Sequence, residues 1–332
     1  MKFRVGLGIL CACAMAVWAA QQGAAPKKGA PSSVPPAAAA PSQTAPAGPV
    51  LQSDELARIQ VDVTRVQMLF TVMDKRGRFI SDLNKDDFEV IESKKSQAVQ
   101  EFTAESDLPL RLGILIDTSN SIRERFRFEQ DAAVEFLKTV MRSNLDKAML
   151  VSFDTKAELV TDLLDNPDRL EDGIRRLRPG GGTALYDAIF YACRDKLAMD
   201  QPKHKFRRAI VMVSDGEDNQ SEVTKAQAIE MAQRAEVIIY AISTDDSGLV
   251  LRGDRVLEQL AEATGGRAFF PFKMKDITHS FAAIEDELRS QYVVSYKPAD
   301  FDADGRYRSI EISSLKKDTQ VRARKGYFAP QQ

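Results

Sequence analysis

The sequence predicts an α/β fold, a doubly wound and mostly parallel sheet, with a small β module built from N- and C-terminal flanking strands. Three observations point there. Short, almost wholly apolar runs recur at Gly113 to Ile116, Ala148 to Phe153, Ala209 to Val213 and Val237 to Ile242, each followed by a helical stretch. Such runs alternating with helices imply a parallel sheet covered on both faces. On either side of that block the period changes to the alternation of half-buried strands.

Taken in order, the chain begins with Lys2 and Arg4, an apolar run from Gly6 to Val17, and small residues at Ala19 and Ala20. This is the charge, apolar core and cleavage pattern of a secretory signal peptide over residues 1–20, too short to span a bilayer permanently. Cleavage there would remove Cys11, Cys13 and Trp18, leaving Cys193 as the single cysteine and no internal disulfide. Leu10-Cys11-Ala12-Cys13 loosely resembles a bacterial lipobox, which would put a lipid on Cys13, but it lies very early. The expected location is therefore secreted, periplasmic or cell-envelope, with lipid anchoring as the minority reading.

Residues 21–52 hold Pro26, Pro31, Pro35, Pro36, Pro41, Pro46 and Pro49 among Ala, Ser and Gly. Almost no large apolar side chain is available to offset the entropy of folding, so this is a semi-extended tether. Residues 53–108 form the N-terminal β module. Ile59, Val61 and Val63 alternate with polar residues, Met68 to Val72 runs into the turn Asp74-Lys75-Arg76-Gly77-Arg78, and Phe88, Val90 and Ile91 mark another strand. Residues 109–290 are the α/β domain. Its first helix is patterned by Phe126, Ala133, Phe136, Leu137 and Val140, and its last runs from Ile277 to Leu288. Residues 291–332 return to alternation at Tyr292 to Tyr296, Arg306 to Ile312 and Val321 to Phe328, with a turn at Asp302 to Gly305. These strands have no sheet of their own and are expected to pair with the β module.

Composition removes several classes of function. Lys plus Arg is 46 against 48 Asp plus Glu, a net charge of -2, which gives no support to a basic nucleic-acid-binding face. His204 and His279 are the only histidines, so a multi-histidine zinc site is impossible and a Ser-His-Asp triad is disfavoured. No segment of the mature chain reads as a transmembrane helix.

In an open parallel sheet, ligands bind at the carboxyl ends of the strands. Three segments bring oxygen ligands to that edge. The first apolar strand ends in Asp117-Thr118-Ser119-Asn120-Ser121, a carboxylate with two hydroxyls at alternate positions. The third ends in Ser214-Asp215-Gly216-Glu217-Asp218, a second carboxylate with a glycine for the tight turn. Between them, Gly180-Gly181-Gly182-Thr183 delivers a hydroxyl at the start of a helix. The donors are hard oxygens with no thiolate or imidazole nearby, which favours Mg²⁺ or Mn²⁺ over zinc. Asp117 and Asp215 neutralise a divalent ion while Ser119, Ser121 and Thr183 leave it electrophilic, with a position free for a partner's carboxylate.

Blander readings compete. Asp-x-Ser-x-Ser alone is often a helix N-cap, and the glycine run lacks the Gly-Lys-Ser/Thr ending of a P-loop. Glu217 and Asp218 read as solvated turn residues, Cys193 as core packing, His204 as part of a solvated basic loop, and Asp245 with Asp246 as loop residues that could shape a rim.

The pattern Asp117-Thr118-Ser119-Asn120-Ser121, Thr183 and Asp215 resembles the complete metal-ion-dependent adhesion site of von Willebrand factor type A domains, over roughly residues 109–290. The resemblance implies a Rossmann-like fold in which Ser119, Ser121 and Thr183 are hydroxyl ligands and Asp117 and Asp215 bind directly or through water. Leu83-Asn84-Lys85-Asp86-Asp87-Phe88-Glu89-Val90 and Arg324-Lys325-Gly326-Tyr327-Phe328 further resemble the bacterial VWFA-related proteins of acidobacterial type. The expected function is a non-enzymatic adhesion or scaffolding module that captures an acidic residue of a protein or peptide partner, with Asn120, Gly182, Glu217 and Asp245 as its rim. Two alternatives stand beside it. A Mg²⁺-dependent phosphohydrolase would need a second Asp where Ser119 stands; a structural envelope protein would use the metal for stability alone.

Overall fold

The computed structural model describes residues 65–104, 108–201, 203–245, 247, 249–271 and 273–330. The expected signal peptide with Cys13, the expected tether, the Ile59 to Val63 alternation and Asp246 lie outside them.

Four apolar runs form the parallel strands of one sheet: β5 (Leu110–Asp117), β6 (Lys147–Phe153), β8 (Arg207–Ser214) and β9 (Val237–Ser243). With β7 (Ala157–Leu164) and β10 (Ala268–Phe269) they stand in the order β10-β9-β8-β5-β6-β7. Helices α1 (Phe126–Val140), α2 (Pro167–Arg176) and α6 (Met274–Arg289) lie on one side of the sheet. There Phe136, Leu137 and Phe281 pack against Ile114, Val211 and Tyr240. Helices α3 (Leu185–Tyr191), α4 (Lys225–Arg234) and α5 (Arg252–Thr264) cover the other, around Leu115, Val151 and Met212. Burial on both faces is why these strands carry no alternation. Cys193, in the π-helical turn Ala192–Leu197 that extends α3, is fully buried in this second core, and burial pushes its thiol far up.

One expectation is corrected here. The run at β6 is followed by a strand rather than a helix: β7 turns back through Asp154 to Lys156 and pairs antiparallel with β6, so the six-stranded sheet is mixed. β7 is an edge strand with alternate residues exposed, and only its inner face needs apolar side chains.

The flanking segments make two further four-stranded antiparallel sheets. One has the order β13-β1-β11-β4, from β13 (Thr319–Ala323), β1 (Val66–Asp74), β11 (Tyr292–Tyr296) and β4 (Val99–Ala104). The other has the order β14-β12-β2-β3, from β14 (Gly326–Phe328), β12 (Tyr307–Ser314), β2 (Phe88–Glu92) and β3 (Lys95–Gln97). Both contribute to one core of Met68, Phe70, Phe88, Val90, Val294 and Ile312. The run from Val321 to Phe328, expected as one strand, is two. Arg324 is buried between them, donating to the carbonyls of Gln67 and Gln233, and β13 and β14 join different sheets. The described residues together form a single compact unit.

Tyr292 anchors this region. Its ring stacks on Phe70 and Phe102, and its hydroxyl accepts from the Leu83 amide at 3.0 Å and donates to the Ile80 carbonyl at 2.9 Å. Tyr292→Phe leaves both backbone groups without a partner and should cost about 1–2 kcal/mol in urea unfolding. An unchanged midpoint would show that these bonds do not hold the module.

Candidate metal centre

Strand order places the site. From β5 the chain passes through α1 to β6, whereas from β8 it passes through α4 to β9 on the other side, so β5 and β8 flank the point where the winding reverses. A crevice opens at such a point beyond the carboxyl ends of the strands. Asp117 is the last residue of β5, and Asp215 follows Ser214, the last of β8.

Asp117 is fully buried. Its Oδ1 accepts from the Ser119 amide at 2.8 Å, and its Oδ2 accepts from the Ser214 hydroxyl at 2.6 Å. Ser121 Oγ donates to Asp215 Oδ2 at 2.6 Å and lies 2.9 Å from Ser119 Oγ. Four of the five expected ligands, Asp117, Ser119, Ser121 and Asp215, thus belong to one hydrogen-bonded cluster. Thr183, 3% exposed, reaches it through its loop: the Gly180 amide donates to the Thr118 carbonyl at 2.6 Å, and Asn120 donates to the Gly181 carbonyl. Asn219 fixes Thr183 in turn, its Oδ1 accepting from the Thr183 amide at 3.0 Å.

The turn after Asp215 tolerates only glycine. Gly216 has φ +76°, and a Cβ there would stand 2.2 Å from the Gly253 carbonyl oxygen. Of the expected rim, Asn120 and Glu217 are exposed, and Gly182 lies close against Asn219 and Gln220. Asp245 is half-buried and spends its carboxylate on the amide and hydroxyl of Ser247. Asp218 is not a solvated turn residue: its Oδ2 accepts from the Tyr186 amide in the first turn of α3 and from Ser221 Oγ, so it caps that helix.

Burial pushes the Asp117 carboxyl up to about 6; hydrogen bonds from Ser214 and Ser119 pull it down, and the charge of Asp215 pushes it up. The sequence reading missed a second acid here. Glu129, in the first turn of α1, is 1% exposed, and neither carboxyl oxygen has a hydrogen-bond partner. Burial, with the charges of Asp117 and Asp215, pushes its carboxyl up to about 8 against the opposing pull of Arg125. The signal was present, since Glu129 falls three residues after Phe126 and four before Ala133, on the apolar stripe of its helix. Ser214, which the sequence places at the strand end without a role, is the hydroxyl that holds Asp117.

Buried carboxyls that resist ionising together, one with orphaned oxygens, are the environment that a cation relieves. Among the described residues no three His, Cys, Asp or Glu side chains converge as a metal cage. The expected donors, two carboxylates and three hydroxyls, are a set that fits a hard divalent ion keeping some of its own waters.

Residues 112–217 match the family model of the von Willebrand factor type A domain. Over 181 residues, 53% of this chain, the sequence is 28% identical to von Willebrand factor A domain-containing protein 3B of Homo sapiens, and the matched part is 13% of that protein. The solved von Willebrand factor type A structure from Catenulispora acidiphila superposes with a TM-score of 0.49 at 13% identity, covering 73% of this chain and 72% of that one. Proximal thread matrix protein 1 from the mussel byssus, solved with a zinc-occupied MIDAS motif, superposes with a TM-score of 0.48 at 14% identity, covering 59% of this chain and 49% of that one.

Proposed function

We propose, from the match of residues 112–217 to the von Willebrand factor type A domain, that the protein is an exported binding module. In this reading it captures an acidic residue of a partner protein or peptide at a Mg²⁺ or Mn²⁺ site made by Asp117, Ser119, Ser121, Thr183 and Asp215. The observation that carries the reading is the hydrogen-bonded cluster joining Asp117, Ser119, Ser121 and Asp215 at the sheet's reversal point.

The bound ion would supply Lewis acidity and an exchangeable coordination position. The chain's own residues do the rest. Asp117 and Asp215 balance the ion's charge, and the three hydroxyls complete the donor set without adding charge, which leaves a partner's carboxylate a favourable ligand. Ser214 and the Ser119 amide hold Asp117 in one orientation, and the close approach of Gly216 to Gly253 fixes Asp215. Asn120, Gly182, Glu217 and Asp245 would form the rim a partner meets. Residues 1–20 would direct export and residues 21–52 would hold the domain away from the envelope. No residue is assigned a catalytic role, and among the described residues no helix is long and apolar enough to cross a membrane.

The test is binding of a purified acidic partner in Mg²⁺ and in EDTA, with Asp117→Ala beside the wild type. Loss of binding in EDTA and in the variant is expected; undiminished binding in EDTA contradicts the reading.

A further inference from the structure

The described residues expose eight large apolar side chains to a substantial degree, and three of them are consecutive: Leu249 at 68%, Val250 at 66% and Leu251 at 44%. They lie between β9 and α5, at the edge of the sheet where Asp117 and Asp215 stand. Contacts on both sides tie the flanking residues to the site. Before them, the Thr244 amide donates to the Ser214 carbonyl at 3.1 Å, and Arg125 donates to the Thr244 carbonyl at 2.6 Å. After them, Asp254 accepts from the Leu251 amide and from Ser243 Oγ, while Gly253 is pressed against the backbone of Asp215 and Gly216. The exposed Arg252 comes near enough to the start of α3 to act, with Asp218 and Glu217, on the Tyr186 hydroxyl.

Consecutive exposed apolar residues between such anchored neighbours mark a contact surface, because nothing in the fold itself gains from leaving them in water. We infer that Leu249, Val250 and Leu251 form an apolar shelf beside the metal centre, and that the partner is a segment with a large apolar side chain next to its acidic residue. The inference rests on the capture proposed above and adds its specificity. Arg252 at the end of the shelf and Arg123, bonded to Asn120 Oδ1 at 2.9 Å, are two exposed cations with which an acidic segment can pair.

The test uses the full chain and two short fluorescent peptides in a Gly/Ser background, one with Glu followed by Leu-Leu and one with Glu followed by Ser-Ser, in saturating Mg²⁺. Burying the leucines should make the first bind roughly tenfold tighter. In Leu249→Ser/Val250→Ser, both positions exposed, that preference should vanish while the Ser peptide binds as before; Leu249→Ile/Val250→Ile should keep it. Equal binding of the two peptides by the wild type, or a preference that survives the serine variant, overturns the inference. So does Leu249-dependent sedimentation with phospholipid vesicles in place of peptide preference, which would make the shelf a membrane contact. Binding of either peptide that is indifferent to EDTA and to Asp117→Ala overturns the functional reading instead, and the two failures are thereby distinguished.

Discussion

Asp117→Ala is expected to abolish the rise in melting temperature that Mg²⁺ or Mn²⁺ gives the wild-type protein, while leaving the melting temperature in EDTA little changed. An ion that binds only the native state adds about 2.7 kcal/mol when present at 100 times its dissociation constant. For a unit of this size that is roughly 5–10 °C. Asp117 is the residue to remove because it is fully buried at the strand tip, so nothing else can replace its charge. In EDTA the loss is small for the same reason. Burial already disfavours its ionised form, pushing the carboxyl to about 6, and alanine sacrifices mainly the acceptor for Ser214 and for the Ser119 amide. A variant that unfolds in EDTA would make Asp117 a structural residue. One that keeps the full metal response would remove it from the site.

The second large effect is on pH. Glu129 ionises near 4.5 unfolded and near 8 in the folded protein, and Asp117 near 3.8 and 6. Both folded values are raised, so across these windows the folded state binds more protons than the unfolded one. Above about pH 5, where the carboxylates whose values the fold lowers are already ionised in both states, the metal-free protein should therefore lose stability as pH rises to about 8, by an amount on the order of a few kcal/mol. Metal should act in the opposite direction, since its carboxylate ligands must be deprotonated, and should stabilise more at about pH 8 than at about pH 5. Glu129→Gln keeps the shape and removes the charge. Urea unfolding in EDTA should show a flatter pH profile for this variant, more stable than wild type at the alkaline end. A wild-type profile that rises with pH in EDTA would mean that neither acid is held protonated by the fold.

How much of this was legible in the sequence depended on whether a residue's role was local. The runs at β5 and β8 are buried on both faces, so their apolar character was continuous, and the polar residues that end them stood out as Asp117 to Ser121 and Ser214 to Asp218. The edge strand β7 was missed because half its side chains face water, and β10 because two residues carry no period. β4 was missed for a similar reason: it pairs with β11 through its backbone while most of its side chains are exposed. Arg324 divided what read as one strand, because its guanidinium satisfies carbonyls from β1 and α4, which only the folded chain brings near. Glu129 was visible as a charge on an apolar stripe, but its link to Asp117 and Asp215 depends on how α1 packs against the sheet.

The central claim is that the Asp117 cluster holds one divalent ion with a position open to a carboxylate. Titration of metal-free protein with Mn²⁺, followed by the electron paramagnetic resonance of the free ion, tests it most directly. One ion bound per chain, absent in Asp117→Ala and displaced by Mg²⁺, is the result expected. A wild-type chain that leaves all the Mn²⁺ free in solution, or a variant that binds it equally well, would contradict the account.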